Sequence, residues 1–199
     1  MSAAALSLPP APVVVGLDLS LTSTGVARGV DSAVALRPGK RRGQERLGWL
    51  LDELRPHVRD ADLAVVEGPS YGSGAQAGHH ELGGLWYLVT HTLLWERKIP
   101  YAVVAPDART VYACGNARPA KDAPKERRAT VAKGMVRTAV AQRYGLECEG
   151  AGRYDQADAV ILAAMGLDWL GYAPTALPQL YARALENVAW PEQTPVIAR

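Results

Sequence analysis

Residues 13–18 read VVVGLD, an unbroken apolar stretch closed by a carboxylate. A strand with no polar alternation must be covered on both faces, as in sheets sandwiched between helices. Its last residue, Asp18, then stands at the mouth of a core, where a carboxylate is costly unless something positive meets it. The chain must therefore supply two layers for the strand and a partner for the acid.

The remaining patterns supply the layers. TSTG is a turn, and GVARGV and SAVALR, joined through Asp31, read as two further strands of a meander. Leu47, Leu50, Leu51 and Leu54 recur at helical spacing between Gln44 and Val58. ADLAVVEG is a short fourth strand ending in Glu67, followed by a glycine-rich loop, PSYGSGAQAGHH, holding His79 and His80. Leu82, Leu85, Trp86, Val89 and Leu93 mark a second helix. YAVVAP is the fifth strand, with Pro106 suited to open a short helix. Helices over about 125–144 and about 155–170 follow. A meander followed by alternating helices and strands predicts an α/β protein: a mixed five-stranded sheet with helices on both faces. Three regions are expected: a loose arm over 1–11, one domain over 12–172 and a proline-rich tail over 173–199, with a short helix near 180–188.

At 199 residues the chain can bury one sizeable core. It has no apolar run of about 18 residues, which predicts no membrane span. No Lys or Arg precedes Arg28, so the apolar start lacks the positive region of a secretory signal. Cys114 and Cys148 form no CxxC and read as two reduced thiols, which suits a cytoplasmic protein.

Charge is uneven. Arg118, Lys121, Lys125, Arg127, Arg128, Lys133 and Arg137 outweigh Asp122 and Glu126, giving that stretch +5 in a chain of net charge +2. RPGKRR at 37–42 is a second basic spot. Such stretches are either solvated faces or surfaces for nucleic acid.

The acids are arranged more tellingly. Asp18 and Glu67 both end predicted strands, where α/β sheets gather functional groups. In RYDQADAVILAAMG, Asp155 and Asp158 are three apart and share one helical face, while Ala159, Ile161, Leu162 and Met165 seat the helix. Oxygen-only carboxylate sites suit Mg²⁺ or Mn²⁺, and paired ions of this kind cleave phosphodiesters.

GLDLSLTSTG, VVEGPSYG and YDQADAVILAA, in that order and spacing, resemble the three active-site motifs of RuvC-like Holliday junction resolvases. These are ribonuclease H-like nucleases, and the first two motifs are similar to those of phage-encoded members. The resemblance covers about residues 13–170. It implies a ribonuclease H-like sheet and a structure-selective endodeoxyribonuclease. The enzyme would cut Holliday junctions, forks or other branched DNA by two-metal-ion hydrolysis, using Mg²⁺ or Mn²⁺. Motif by motif, it makes Asp18, Glu67, Asp155 and Asp158 the catalytic metal ligands and Lys133 the DNA-facing lysine. The seven basic residues from Arg118 to Arg137 become DNA contacts. The chain has no Phe, so Tyr71 is the aromatic left to enter a junction core. A two-fold junction calls for a homodimer, and the helix over 81–97 is the candidate interface through Trp86, Leu93 and Trp95.

Two other functions stay open. DLSLTSTG also resembles the first phosphate loop of sugar kinases and related ATPases, though those usually duplicate the core. A DNA-binding scaffold that has lost activity is the third, against which stands the presence of all four acids.

Overall fold

The structure is a computed structural model and describes residues 11–68 and 79–192. Five strands form one sheet: β1 (Val14–Asp18), β2 (Thr24–Arg28), β3 (Ser32–Leu36), β4 (Leu63–Glu67) and β5 (Tyr101–Val104). Their spatial order is β3-β2-β1-β4-β5. The β1–β2 and β2–β3 pairs are antiparallel, while β1–β4 and β4–β5 are parallel. The expected mixed sheet is present, with β1 at its centre.

Strand periodicity divides the core. Val14, Leu63, Val65, Ala102 and Val104 point to one face, beneath α3 (Pro106–Cys114), α4 (Arg128–Tyr144) and α5 (Arg153–Trp169). Val15, Leu17, Val26, Ala64 and Val66 point to the other, beneath α1 (Gly43–Val58) and α2 (His79–Leu88). Both faces are covered, which is why VVVGL shows no alternation.

Helix α5 sits unusually close to the sheet. A Cβ on Gly16 would meet the backbone of Ala159 and Ala163, and one on Gly25 would meet the carbonyl of Asp155. Neither backbone can yield without moving the helix. Gly16→Ala is expected to destabilise the fold by about 1–3 kcal/mol or more, the usual cost of overpacking a dense core. A urea midpoint equal to that of wild type would show that α5 shifts freely.

The second helix departs from the sequence pattern. It begins at His79, so His79 and His80 open α2 instead of lying in the glycine-rich loop, and after Leu88 it widens into a π-helical stretch, Val89–Trp95. Thr90 and Thr92 hydroxyls donate to the Trp86 and Leu88 carbonyls, at 2.9 and 2.6 Å, and compete for the regular ladder. The wider turn puts both Leu93 and Leu94 in the core and leaves Trp95 outside, 67% exposed.

The described part of the proline-rich tail, to residue 192, packs on the domain. Helix α6 (Gln179–Ala182) and the 3₁₀ turn Arg183–Asn187 lie against α3. Ala189 bridges to Val103 at the outer edge of β5. The Trp190 ring stacks on Trp169, centroids 4.7 Å apart. Arg143 closes the end of α3 by donating to the Tyr112 and Ala113 carbonyls, at 3.0 and 2.6 Å.

Candidate active site

Asp18 ends β1 and Glu67 ends β4, and parallel pairing of these strands brings their C-terminal ends side by side. Asp18 lies opposite Gly25 on β2, and Gly25 is where α5 touches the sheet, at the Asp155 carbonyl. The two glycine contacts therefore set Asp155 and Asp158 beside Asp18. Helix α5 begins at Arg153, with Gly152 at the N-cap position, so Asp155 is in the first turn and Asp158 one turn further. Asp158 is buried, 3% exposed.

The acids act on one another. Burial raises the pKa of Asp18 well above the ordinary value, and the charges of Glu67, Asp158 and Asp155 raise it further. Burial likewise raises Glu67 and Asp158. Lys133 on α4 is exposed yet close enough to oppose the rise at both. It therefore lies near Glu67 and Asp158.

A residue that the sequence motifs do not flag lies among them. Arg109, in the first turns of α3, places Nε 2.8 Å from Glu67 Oε2 and Nη1 against Asp158 Oδ1. Its side chain is 12% exposed. Burial alone would lower its pKa, but Asp158, Glu67 and Asp18 together hold it above the ordinary guanidinium value. The signal was positional. Glu67 pairs with Val104, the last residue of β5, so the helix opened by Pro106 must start beside Glu67.

Among the described residues, no three Asp, Glu, His or Cys side chains are grouped so as to hold a metal ion. The donors nonetheless suit a hard cation: all are carboxylate oxygens, and Glu67 Oε2 is buried without a hydrogen-bond partner. The group that now meets Glu67 and Asp158 is the Arg109 guanidinium.

The basic flank is present on the surface. Arg118, Lys121, Lys125, Arg127, Arg128 and Lys133 are all exposed, along the loop and helix leading into α4. Arg137 is partly committed elsewhere, donating to the Cys148 carbonyl at 2.7 Å and lying 3.5 Å from Glu147. Of the expected interface residues, Leu93 belongs to the core, and Trp86 donates its Nε1 to the Glu67 carbonyl at 3.2 Å. Tyr87 and Trp95 are the exposed aromatics of α2 and its π-helical extension. Tyr71 lies outside the described residues.

The strand order and helical layers define a ribonuclease H-like fold of the RuvC type. The chain is similar to Thermus thermophilus RuvC in complex with a Holliday junction substrate, with 18% identity and a TM-score of 0.54. That match covers 81% of this chain and 98% of the other. A second Thermus thermophilus RuvC structure matches over the same shares, with 18% identity and a TM-score of 0.51. No protein-family model and no curated protein matches the sequence. Among the described residues, no helix is long and apolar enough to cross a membrane.

Proposed function

We propose that the chain is a divalent-cation-dependent endonuclease acting on branched DNA, four-way junctions first. The observation that carries this is the mutual charge of Asp18, Glu67, Asp155 and Asp158 at one rim of the sheet, with Lys133 near Glu67 and Asp158. A RuvC-like fold and a solved neighbour held with a Holliday junction support the choice of substrate. The kinase-like alternative shares the core but does not call for the acidic pair on α5 or the basic flank.

The four carboxylates would hold Mg²⁺ or Mn²⁺, two ions in the site. When bound, such ions activate water and stabilise the leaving oxygen of a phosphodiester. The chain's own residues do the rest. Gly16 and Gly25 hold the acidic helix in register with Asp18. Lys133 lies on the rim, placed to meet a phosphate near the cut. The basic residues from Arg118 to Arg137 position the backbone without reading sequence. Tyr71 would stack at the junction centre, and two copies would supply two opposed cuts, with Tyr87 and Trp95 as exposed anchors of the interface.

The flank is tested by salt. Affinity for a four-way junction, measured in Ca²⁺ to suppress cleavage, should fall steeply with salt concentration. Lys121→Ala and Lys133→Ala should each reduce the log–log slope by about one. Arg137→Ala should reduce it less, because its guanidinium already serves the Cys148 carbonyl. Unchanged slopes in both lysine variants would make this segment a solvated face.

A further inference from the structure

Two of the four proposed cation ligands already face a positive charge supplied by the chain. Arg109 bridges Glu67, at the end of β4, and Asp158 on α5. A guanidinium stays charged at any pH the protein meets, so proton loss does not clear it from the site. Its hold is electrostatic more than geometric. Nε and Glu67 Oε2 are both buried, yet neither has a partner in hydrogen-bond geometry. A structural ion pair of lasting value saturates such atoms with hydrogen bonds. This one leaves them open to a better-fitting cation.

The helix beneath is fixed. Arg143 caps the end of α3, the Tyr112 hydroxyl donates to Asp168 at 3.0 Å, and the tail packs along it. Motion at this position therefore belongs to the flexible side chain and not to the helix.

We propose that Arg109 is a resident counter-ion: it holds Glu67 and Asp158 together in the metal-free protein, and a divalent cation enters by displacing it. The inference rests on the reading of Glu67 and Asp158 as cation ligands. It makes Arg109 a positioning residue that sets how much cation the site requires. Without Arg109, four acids would crowd the rim with Lys133 the remaining nearby cation among the described residues, so the metal-free fold should weaken and the appetite for a cation should rise.

Mn²⁺ binding, followed by loss of the free-ion electron paramagnetic resonance signal, tests this on the full chain. Arg109→Gln should bind Mn²⁺ about tenfold or more tightly than wild type, the scale of one close charge pair removed from competition. Its melting temperature in EDTA should fall below wild type, and Mn²⁺ should restore more of it than in wild type. Equal or weaker Mn²⁺ binding by Arg109→Gln, with wild type still binding, would overturn the counter-ion role and leave the proposed metal site standing. Binding by neither protein would overturn both. If Arg109→Gln fails to fold, wild type alone decides through the ¹⁵N-edited signal of the Arg109 Nε–H. Saturating Mg²⁺ should shift that signal and speed its exchange with water, and an unaltered signal would overturn the inference.

Discussion

Asp18→Asn should lower cleavage of branched DNA by about a thousandfold or more, several kcal/mol of transition-state stabilisation lost with one cation ligand. The same substitution should leave the fold intact and strengthen it in EDTA. Burial, then Glu67, Asp158 and Asp155, raise the pKa of this carboxyl in the folded protein. A raised folded-state pKa means that the native state binds the proton more readily than the unfolded chain. Ionisation then costs stability as pH climbs above the ordinary carboxylate value, and the full cost is reached once pH exceeds the raised value. An amide of the same shape carries no such cost. Asp18→Asn should therefore melt above wild type at neutral pH, with the gap closing as pH falls toward the ordinary carboxylate range. A variant that cuts at the wild-type rate would remove Asp18 from the chemistry.

Arg46→Ala should destabilise the protein by about 3–5 kcal/mol, the cost of leaving one member of a buried ion pair alone. Arg46 on α1 sets Nη2 2.5 Å from Glu81 Oε2 in the first turn of α2, with side chains only 11% and 17% exposed. Its Nη1 also donates to the Leu21 carbonyl, 3.3 Å away, in the turn that follows Asp18. One guanidinium thus ties together two helices of the same layer and the loop above the site. Glu81→Gln should cost less, since the amide oxygen can still accept from Arg46. Urea denaturation separates the cases, and an Arg46→Ala midpoint close to wild type would mean that water readily replaces the lost partner.

Much of the fold is legible in the sequence because its strands and helices obey simple periods. VVVGLD and LAVVE are apolar throughout since helices cover both faces, and each ends in the acid that marks the rim. The spacing of Asp155 and Asp158 shows a shared helical face. The placement of α5 does not show, because it depends on Gly16 and Gly25 meeting helix residues at least 130 positions later in the chain. Arg109 is silent for a related reason. In PDARTVYAC it is one basic residue in a short helix, and only the β4–β5 pairing makes it a neighbour of Glu67 and Asp158. The π-helical turn after Leu88 is likewise invisible to a helical period of 3.6, which counts Leu94 on the wrong face. The tail shows prolines where the structure shows the Trp169–Trp190 stack, a contact between two segments that no local pattern links.

The central claim is that the acidic rim hydrolyses branched DNA with the help of a divalent cation. The most direct measurement is incubation of the purified full chain with end-labelled four-way junction, fork and linear duplex DNA of matched sequence, in Mg²⁺, in Mn²⁺ and in EDTA. Nicking of the junction in either cation, little nicking of the duplex, and none in EDTA or with Asp18→Asn is the predicted result. A wild-type protein that binds the junction yet leaves every strand whole in both cations would contradict the claim, as would cleavage that persists in EDTA or in Asp18→Asn.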